Sequence, residues 1–358
     1  MSPSVSLKEL LARHTMTAGP ETSRAQDDGV VQCLACGHRC RIQPGKSGVC
    51  LVRFNEGGKL KVPAGYVAGL NVDPIEKKPM YHVLPGHSAV SFGMLGCNFH
   101  CSFCQNWFSS QALRDQRATS SPTFCTADQV VELGVRYDAP IVTSTYNEPL
   151  ITSEWAVEIF KRARPHGMLC GYVSNGHATP EVLEFLRPCA ELFKIDMKCF
   201  DEKKYRQLGG VMQNVLDTIA NARRMGFWVE VVTLVVPGFN DTDDELRRIA
   251  EFLVSVDADI PWHTTAFHPD YRMTSSPRTP VETLMRAHEI GRKAGLSFVY
   301  SGNLPGECGN TENTYCPGCG ALLIERWGFS MRQNHIRNGK CPDCGRAIPG
   351  VWTRPTTA

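Results

Sequence analysis

Sixteen cysteines limit more than any other feature what this chain can become. A secreted mini-protein uses such a number as disulfide staples, but 358 residues bury enough core to need none. The start, MSPSVSLKELLARHTM, lacks the basic residues, long apolar stretch and small-residue cleavage site of an export signal. Reduced thiols and a cytoplasmic location are therefore expected. Eleven cysteines fall into three tight sets, Cys33/Cys36/Cys40/Cys50, Cys97/Cys101/Cys104 and Cys316/Cys319/Cys341/Cys344, which argues for metal. The other five (Cys125, Cys170, Cys189, Cys199 and Cys308) are scattered, and a buried small hydrophobe is their default role.

Composition excludes several classes. Apolar residues make up 42% and charged residues 21%, as in soluble globular chains rather than disordered or fibrous ones. Lys plus Arg is 38 and Asp plus Glu is 36, so the net charge of 38 − 36 = +2 supports neither a general nucleic-acid binder nor a membrane-surface one. No apolar run is long enough to span a bilayer.

Four zones are expected. Residues 1–30 are polar and weakly patterned, suiting a mobile N-terminal arm. Residues 31–87 are rich in Gly, Pro and Cys and read as a metal-binding segment. Over 88–305, apolar strand-like runs begin at Ala89, Ile141, Leu169, Leu192, Val229, Trp262 and Ser297, with amphipathic stretches such as SEWAVEIFKRAR and TDDELRRIAEFLVSV between them. That alternation predicts an α/β domain of right-handed βαβ units and a parallel sheet, closed into a partial or full (β/α) barrel. Residues 306–358 return to Gly, Pro and Cys.

Directly after the first barrel strand, Leu95-GCNFHCSFCQNW-Phe108 spaces its cysteines C-x3-C-x2-C. Three thiolates on one tight loop can hold three irons of a 4Fe–4S cluster and leave the fourth open to an amine and a carboxylate, whereas a ferredoxin closes its cluster with a fourth Cys. This loop resembles that of the radical S-adenosylmethionine (SAM) superfamily; a plain zinc or thiol site is the alternative.

The resemblance extends downstream, always at strand C-termini, where such folds place their ligands. It implies that Glu148, in Thr143-STYNEP-Leu150, accepts the SAM amino group, and that Asn147 beside it is a further SAM contact. It also implies SAM contacts at Ser174 and Asn175, like those of glycyl-radical-enzyme activases, at Asp196 and Lys198, and at His268. The chain departs from that pattern at Val232, where activases carry an Arg for the SAM carboxylate. Thr233, Lys198 or a backbone amide is left to take that role.

The outer sets read differently. Cys316, Cys319, Cys341 and Cys344 form two C-P-x-C-G knuckles, a zinc-ribbon pattern, with rubredoxin-like iron as its alternative. Arg326, Trp327, Arg332 and Arg337 between the knuckles suit either a contact patch or solvated ribbon faces. Cys33, Cys36, Cys40 and Cys50 read C-x2-C-x3-C-x9-C, which predicts a metal site that is zinc or a second iron–sulfur cluster.

Across residues 31–350 the whole pattern, including Asp73-Pro-Ile-Glu-Lys-Lys-Pro79 and Tyr300-Ser-Gly-Asn303, resembles the AmmeMemoRadiSam-system radical SAM enzymes. Such a resemblance implies a 4Fe–4S cluster, SAM and zinc as cofactors. The implied partners are a Memo-like protein, an AMMECR-domain protein and a flavodoxin or ferredoxin as electron donor. The implied activity is reductive cleavage of SAM to a 5′-deoxyadenosyl radical that abstracts hydrogen from a substrate. An activase that installs a glycyl radical on a partner enzyme, and a non-catalytic metal-binding scaffold, are the alternatives. Cys308 stands where that family has a Gly-rich stretch, as an extra ligand or an accidental thiol.

Overall fold

The structure, a computed structural model, describes residues 6–355. Its centre is an eight-stranded sheet. Strand β1 (Gly69–Pro74) pairs antiparallel with β2 (Ser88–Gly93). Six parallel strands follow in chain order: β3 (Ile141–Ser144), β4 (Leu169–Ser174), β5 (Leu192–Asp196), β6 (Trp228–Val235), β7 (Trp262–Ala266) and β8 (Val299–Gly302). The sheet order runs β8 to β1, and the two end strands do not pair. Of the two forms expected, the chain therefore adopts the open, partial one. β1 comes from the segment read as lying ahead of the barrel, so the sheet starts before residue 88.

Connecting helices cover the sheet: α1 (Ala127–Arg136), α2 (Ser153–Ala163), α3 (Pro180–Leu186), α4 (Met212–Arg224), α5 (Asp243–Val256) and α6 (Val281–Ala294). The chemistry of their first turns explains where they start. Thr126, Thr179 and Thr242 each accept a backbone N–H three residues on, and Asp243, Asp244 and Glu245 complement the N-terminal dipole of α5. α5 then buries Leu246, Ile249, Ala250 and Leu253, one apolar stripe at helical spacing. Covered on both faces, the parallel strands read as continuous apolar runs, and β6 is buried along almost all of its length.

The N-terminal region differs from the mobile arm expected over 1–30. Residues 1–5 of that arm lie outside the described residues. From Ser6 onward the chain forms helix Leu7–Ala12, opened by a capping box between Ser6 and Glu9. Thr15–Thr17 then pairs with Lys59–Pro63, and Ser23–Ala25 with Val31–Cys33. Ladder hydrogen bonds and the burial of Thr22, whose hydroxyl donates to Glu154 of α2, hold a stretch whose polarity suggested an arm.

Residues 75–86 cover the N-terminal ends of the strands, where Ile75, Met80, Val83 and Leu84 pack on Ala89, Ile141, Leu169 and Leu192. Beside them lies a three-stranded antiparallel sheet (Thr314–Tyr315, Leu322–Trp327, Ser330–Asn334), its core shared with Tyr81, Phe298 and Tyr300. Glu230 of β6, fully buried, ties these parts together. It accepts hydrogen bonds from the backbone of Tyr81 and His82, each at 2.9 Å, from Trp228 Nε1 at 2.9 Å and from His263 Nε2 at 2.7 Å. Arg326, expected on a contact patch or solvated face, is instead buried: it donates to the Tyr81 carbonyl at 2.7 Å and to Thr314 at 2.8 Å. Trp327 is exposed. Among the described residues no helix is long and apolar enough to cross a membrane.

Candidate active site

The C-terminal ends of the strands surround one cavity of about 300 Å³. Its lining draws on loops from Tyr146 after β3 to Asn303 after β8, so opposite ends of the sheet curl around a shared space. Cys97, Cys101 and Cys104 all open onto it.

The cysteine loop is fixed from several sides. Gly96 has φ +94°, a left-handed conformation that places Cys97 at the cavity, and its amide donates to the Ser109 carbonyl at 3.0 Å. Phe99 and Phe103 are buried, and the His100 amide donates to the Leu208 carbonyl at 2.9 Å. Cys97 Sγ accepts from the Phe99 amide at 3.3 Å, and Cys104 Sγ lies 3.2 Å from Ser110 Oγ. Burial pushes all three thiols above their ordinary value, Cys101 to about 12. A buried thiol this reluctant to ionise becomes a thiolate when a metal centre supplies the compensating charge. Three such sulfurs facing one cavity, with no fourth cysteine in its lining, fit a cluster that keeps one iron open.

Facing the thiols are the carboxylates and cations at the ends of β3 to β5. Glu148 is buried and accepts from Ser174 Oγ at 2.7 Å, from the Asn175 amide at 2.7 Å and from the Leu150 amide at 3.0 Å. Burial outweighs these bonds and lifts its pKa to about 7, so the cavity presents a carboxyl group in want of a cation. Asn175 Nδ2 reaches Asn98 Oδ1 at 2.7 Å, joining the end of β4 to the cysteine loop. Asn147 lines the cavity, but its side-chain oxygen is committed to the Met94 amide at 3.0 Å, clamping the end of β2 to that of β3. Asp196 pairs with both Lys194 and Lys198, the latter at 2.8 Å. Burial disfavours charge on Asp196, yet the two ammonium groups hold it well below the usual carboxylate range. Lys198 is burdened likewise, and Asp196 and Cys101 more than offset the cost, raising its pKa.

Two expected contacts fall elsewhere. Thr233 points away from the cavity: its hydroxyl accepts from Trp262 Nε1 at 3.0 Å, and Val232 and Leu234 take the lining positions. β6 alternates its side chains, so only one of Val232 and Thr233 can face inward. His268 is exposed outside the lining, and its Nδ1 lies 2.7 Å from Nε2 of Gln105, which does line the cavity. Lys194 went unrecognised in the sequence, where a lysine inside a strand reads as solvated. Its place two residues before Asp196, on the same face of β5, was the available signal. Lys77, Lys78 and Pro79 also line the cavity, with Lys78 Nζ 2.8 Å from Asp73 and 3.1 Å from the Tyr146 hydroxyl.

None of the other clustered cysteines lines this cavity. Cys316, Cys319, Cys341 and Cys344 are the only His, Cys, Asp or Glu group among the described residues whose ligand atoms all lie within 4.8 Å of one another. Sulfur separations of 3.6 Å (Cys316–Cys344) and 3.7 Å (Cys319–Cys341) match a tetrahedron with metal–sulfur bonds of ~2.3 Å. Cys33, Cys36 and Cys50 are buried and Cys40 is partly exposed, with the Cys50 carbonyl set against Gly96 of the cavity's cysteine loop. Cys308 is buried in the main apolar core and lines a second cavity together with Cys316, away from the cavity that holds Cys97, Cys101 and Cys104.

The chain is similar to several known proteins. An uncharacterized protein of Methanocaldococcus jannaschii is 38% identical over 326 residues, which span 90% of this chain and 96% of that one. The isethionate sulfite-lyase activating enzyme of Oleidesulfovibrio alaskensis is 26% identical over 46% of this chain and 56% of its own length. The pyruvate formate-lyase 1-activating enzyme of Escherichia coli is 23% identical over 60% of this chain and 93% of its own. A solved radical SAM methyltransferase from Sphaerobacter thermophilus superposes with a TM-score of 0.47, at 14% identity, over 89% of this chain and 85% of that one. Residues 93–253, from the last residue of β2 into α5, match the family model of the radical SAM superfamily. That stretch begins four residues before Cys97 and carries the cavity's thiols together with Glu148, Asp196 and Lys198, and by these residues and these relatives the chain belongs to the radical SAM superfamily, with homology to the activating enzymes of glycyl-radical enzymes.

Proposed function

We propose that Cys97, Cys101 and Cys104 hold the 4Fe–4S cluster that superfamily membership implies, and that SAM binds its open iron inside the cavity. The chemistry supplied there is one-electron cleavage of SAM to methionine and a 5′-deoxyadenosyl radical, which takes hydrogen from a substrate. Glu148 receives the SAM ammonium, which relieves the burial cost of its carboxylate. Ser174 and the Asn175 amide orient that carboxylate. Lys198, already beside the thiols, offsets the negative charge of the cluster, and either it or Lys194 takes the SAM carboxylate in place of the Arg that Val232 replaces. Asp196 holds the two lysines in position. The supporting observation is that three buried thiols and Glu148 converge on one cavity. Anaerobic reconstitution with iron, sulfide, dithionite and SAM tests the reading, with 5′-deoxyadenosine as the expected product. Its persistence in a Cys97→Ala/Cys101→Ala/Cys104→Ala variant would end this reading.

The homology to activating enzymes favours a second reading, in which the hydrogen is taken from a glycine of a partner enzyme. A persistent protein-based radical signal on a co-incubated partner separates the two. The Memo-like and AMMECR-domain companions implied by the sequence pattern belong to the first reading, and a rise in SAM turnover on adding either one supports it. At Cys316, Cys319, Cys341 and Cys344 we propose one zinc ion with a structural role, because all four positions are closed and the site stands apart from the cavity.

A further inference from the structure

The four N-terminal cysteines are gathered into one place by a hairpin and a turn. Val31–Cys33 and Arg41–Ile42 pair, and the Cys33 amide extends that ladder to the Cys40 carbonyl at 2.9 Å. Cys36 sits in the connecting turn, where its carbonyl accepts from Arg39. A second turn, closed by Leu51 onto Gly48 at 3.0 Å, presents Cys50, and a Cβ on Gly48 would stand 3.4 Å from Cys40 Sγ. Three of the four cysteines are buried.

The spacing of their sulfurs separates two kinds of centre. Zinc draws four thiolates to ~3.8 Å of one another, as the C-terminal set does. No three ligand atoms of the N-terminal set lie within 4.8 Å of one another, and the same is true of Cys97, Cys101 and Cys104. A polynuclear centre, whose irons stand between the sulfurs, does not need that close spacing. The N-terminal set also has its own buried cation. Arg53 is 1% exposed and gives both terminal nitrogens to Glu154, at 2.8 and 2.7 Å, while its Nε–H has no partner. Burial works against this cation, and Cys33, Glu154 and Cys50 keep it charged. An anionic centre at those sulfurs would give this buried cation a counter-charge.

The two cysteine loops touch at three points. A Cβ on Gly96 would lie 3.1 Å from the Cys50 carbonyl oxygen and 2.9 Å from Val52 Cγ1. His38, between Cys36 and Cys40, places Nε2 at 3.2 Å from the carbonyl of Asn98, the residue after Cys97. One guanidinium, Arg114, donates to the carbonyls of both Val49 and Phe99. Each contact lies within two residues of a cysteine on both sides.

We propose that Cys33, Cys36, Cys40 and Cys50 hold a second iron–sulfur cluster that passes electrons to the centre at Cys97, Cys101 and Cys104. A ferredoxin- or flavodoxin-class carrier gives up one electron and is oxidised by one unit. The N-terminal cluster is reduced and then reoxidised as the electron moves on, and no bond or proton changes place. What the electron is used for rests on the function proposed above; the existence of the second cluster does not.

Metal content and electron paramagnetic resonance of the full-length, anaerobically reconstituted chain test both parts. About eight irons per chain are expected, four per cluster. The Cys97→Ala/Cys101→Ala/Cys104→Ala variant should keep half of that iron and a reducible cluster whose spectrum ignores SAM, a result independent of any SAM chemistry. The Cys33→Ser/Cys36→Ser variant should lose the other half. Its remaining cluster should still respond to SAM when reduced by dithionite, but should lose rapid reduction by a flavodoxin hydroquinone. About four irons and two zincs in the unaltered chain would overturn the second cluster, even if no variant folds. Equal rates of flavodoxin-driven reduction with and without the N-terminal cysteines would overturn the relay.

Discussion

Glu148 concentrates the chemistry of the cavity in one side chain. Its pKa of about 7 arises from burial that three donated hydrogen bonds do not cancel. An ammonium ligand needs the ionised form, so SAM affinity should be level above pH 7 and fall about tenfold per unit below it, as binding curves across pH would record. The sign for stability is opposite. A carboxyl raised from 4.5 to about 7 contributes stability at low pH that is lost as pH rises through 7. Glu148→Gln keeps the volume and removes the charge. It should weaken SAM binding by ~2 kcal/mol, roughly thirtyfold, while iron content stays unchanged. Equal affinity of the two proteins by calorimetry would remove Glu148 from the binding site. At this scale the sequence was legible where motif and strand end coincide, as at Glu148 and Asp196. It was not legible for Thr233, whose direction depends on the register of β6, nor for Arg326, since nothing in a sequence marks an arginine that a fold will bury.

Among the elements, the parallel strands β2 to β8 were readable because burial on both faces makes them apolar runs. β1 was not. It is an edge strand of half-buried residues, GLNVDP, and shows neither such a run nor clean alternation. The loop between β2 and α1 depends on Gly96, and two properties set the effect of replacing it. Its φ of +94° disfavours any side chain, and a methyl group would meet Val52 and the Cys50 carbonyl. Gly96→Ala should cost ~1–3 kcal/mol and lower iron incorporation, read by thermal melting and iron assay on the same preparation. In β6, Glu230→Ala orphans four buried donors and should cost ~3–5 kcal/mol at neutral pH. Despite its burial, His263 and its other donors hold the Glu230 pKa at about 2 against an ordinary 4.5. Its contribution is therefore complete above 4.5 and fades as pH falls toward 2, so urea melts of the two proteins should converge in acid.

For the molecule as a whole, the C-terminal three-stranded sheet sits beside the covered, N-terminal end of the central sheet, opposite the cavity, and this sets what removal of the proposed zinc should do. Its core includes Phe298 and Tyr300 of the last connection and edge strand, as well as Tyr81. Chelation of the zinc proposed at Cys316, Cys319, Cys341 and Cys344 should therefore loosen residues 314–345 and also expose β8, read as faster amide hydrogen exchange in both. Protection that persists in both would mean that packing alone holds the C-terminal sheet. The same base is closed by bonds between distant parts of the chain: His82 Nδ1 lies 2.7 Å from the Pro349 carbonyl, 267 positions away in sequence. The Val351 amide completes the join on the His82 carbonyl at 2.7 Å. A ribosome delivers residue 82 long before residue 349, so this end of the sheet stays unsealed until residues 349 and 351 have been made. Contacts of such separation form slowly, and until they do the chain exposes Tyr81, Phe298 and Tyr300 to the surrounding solvent. Nascent and C-terminally shortened chains are accordingly the forms of this protein most exposed to aggregation and proteolysis.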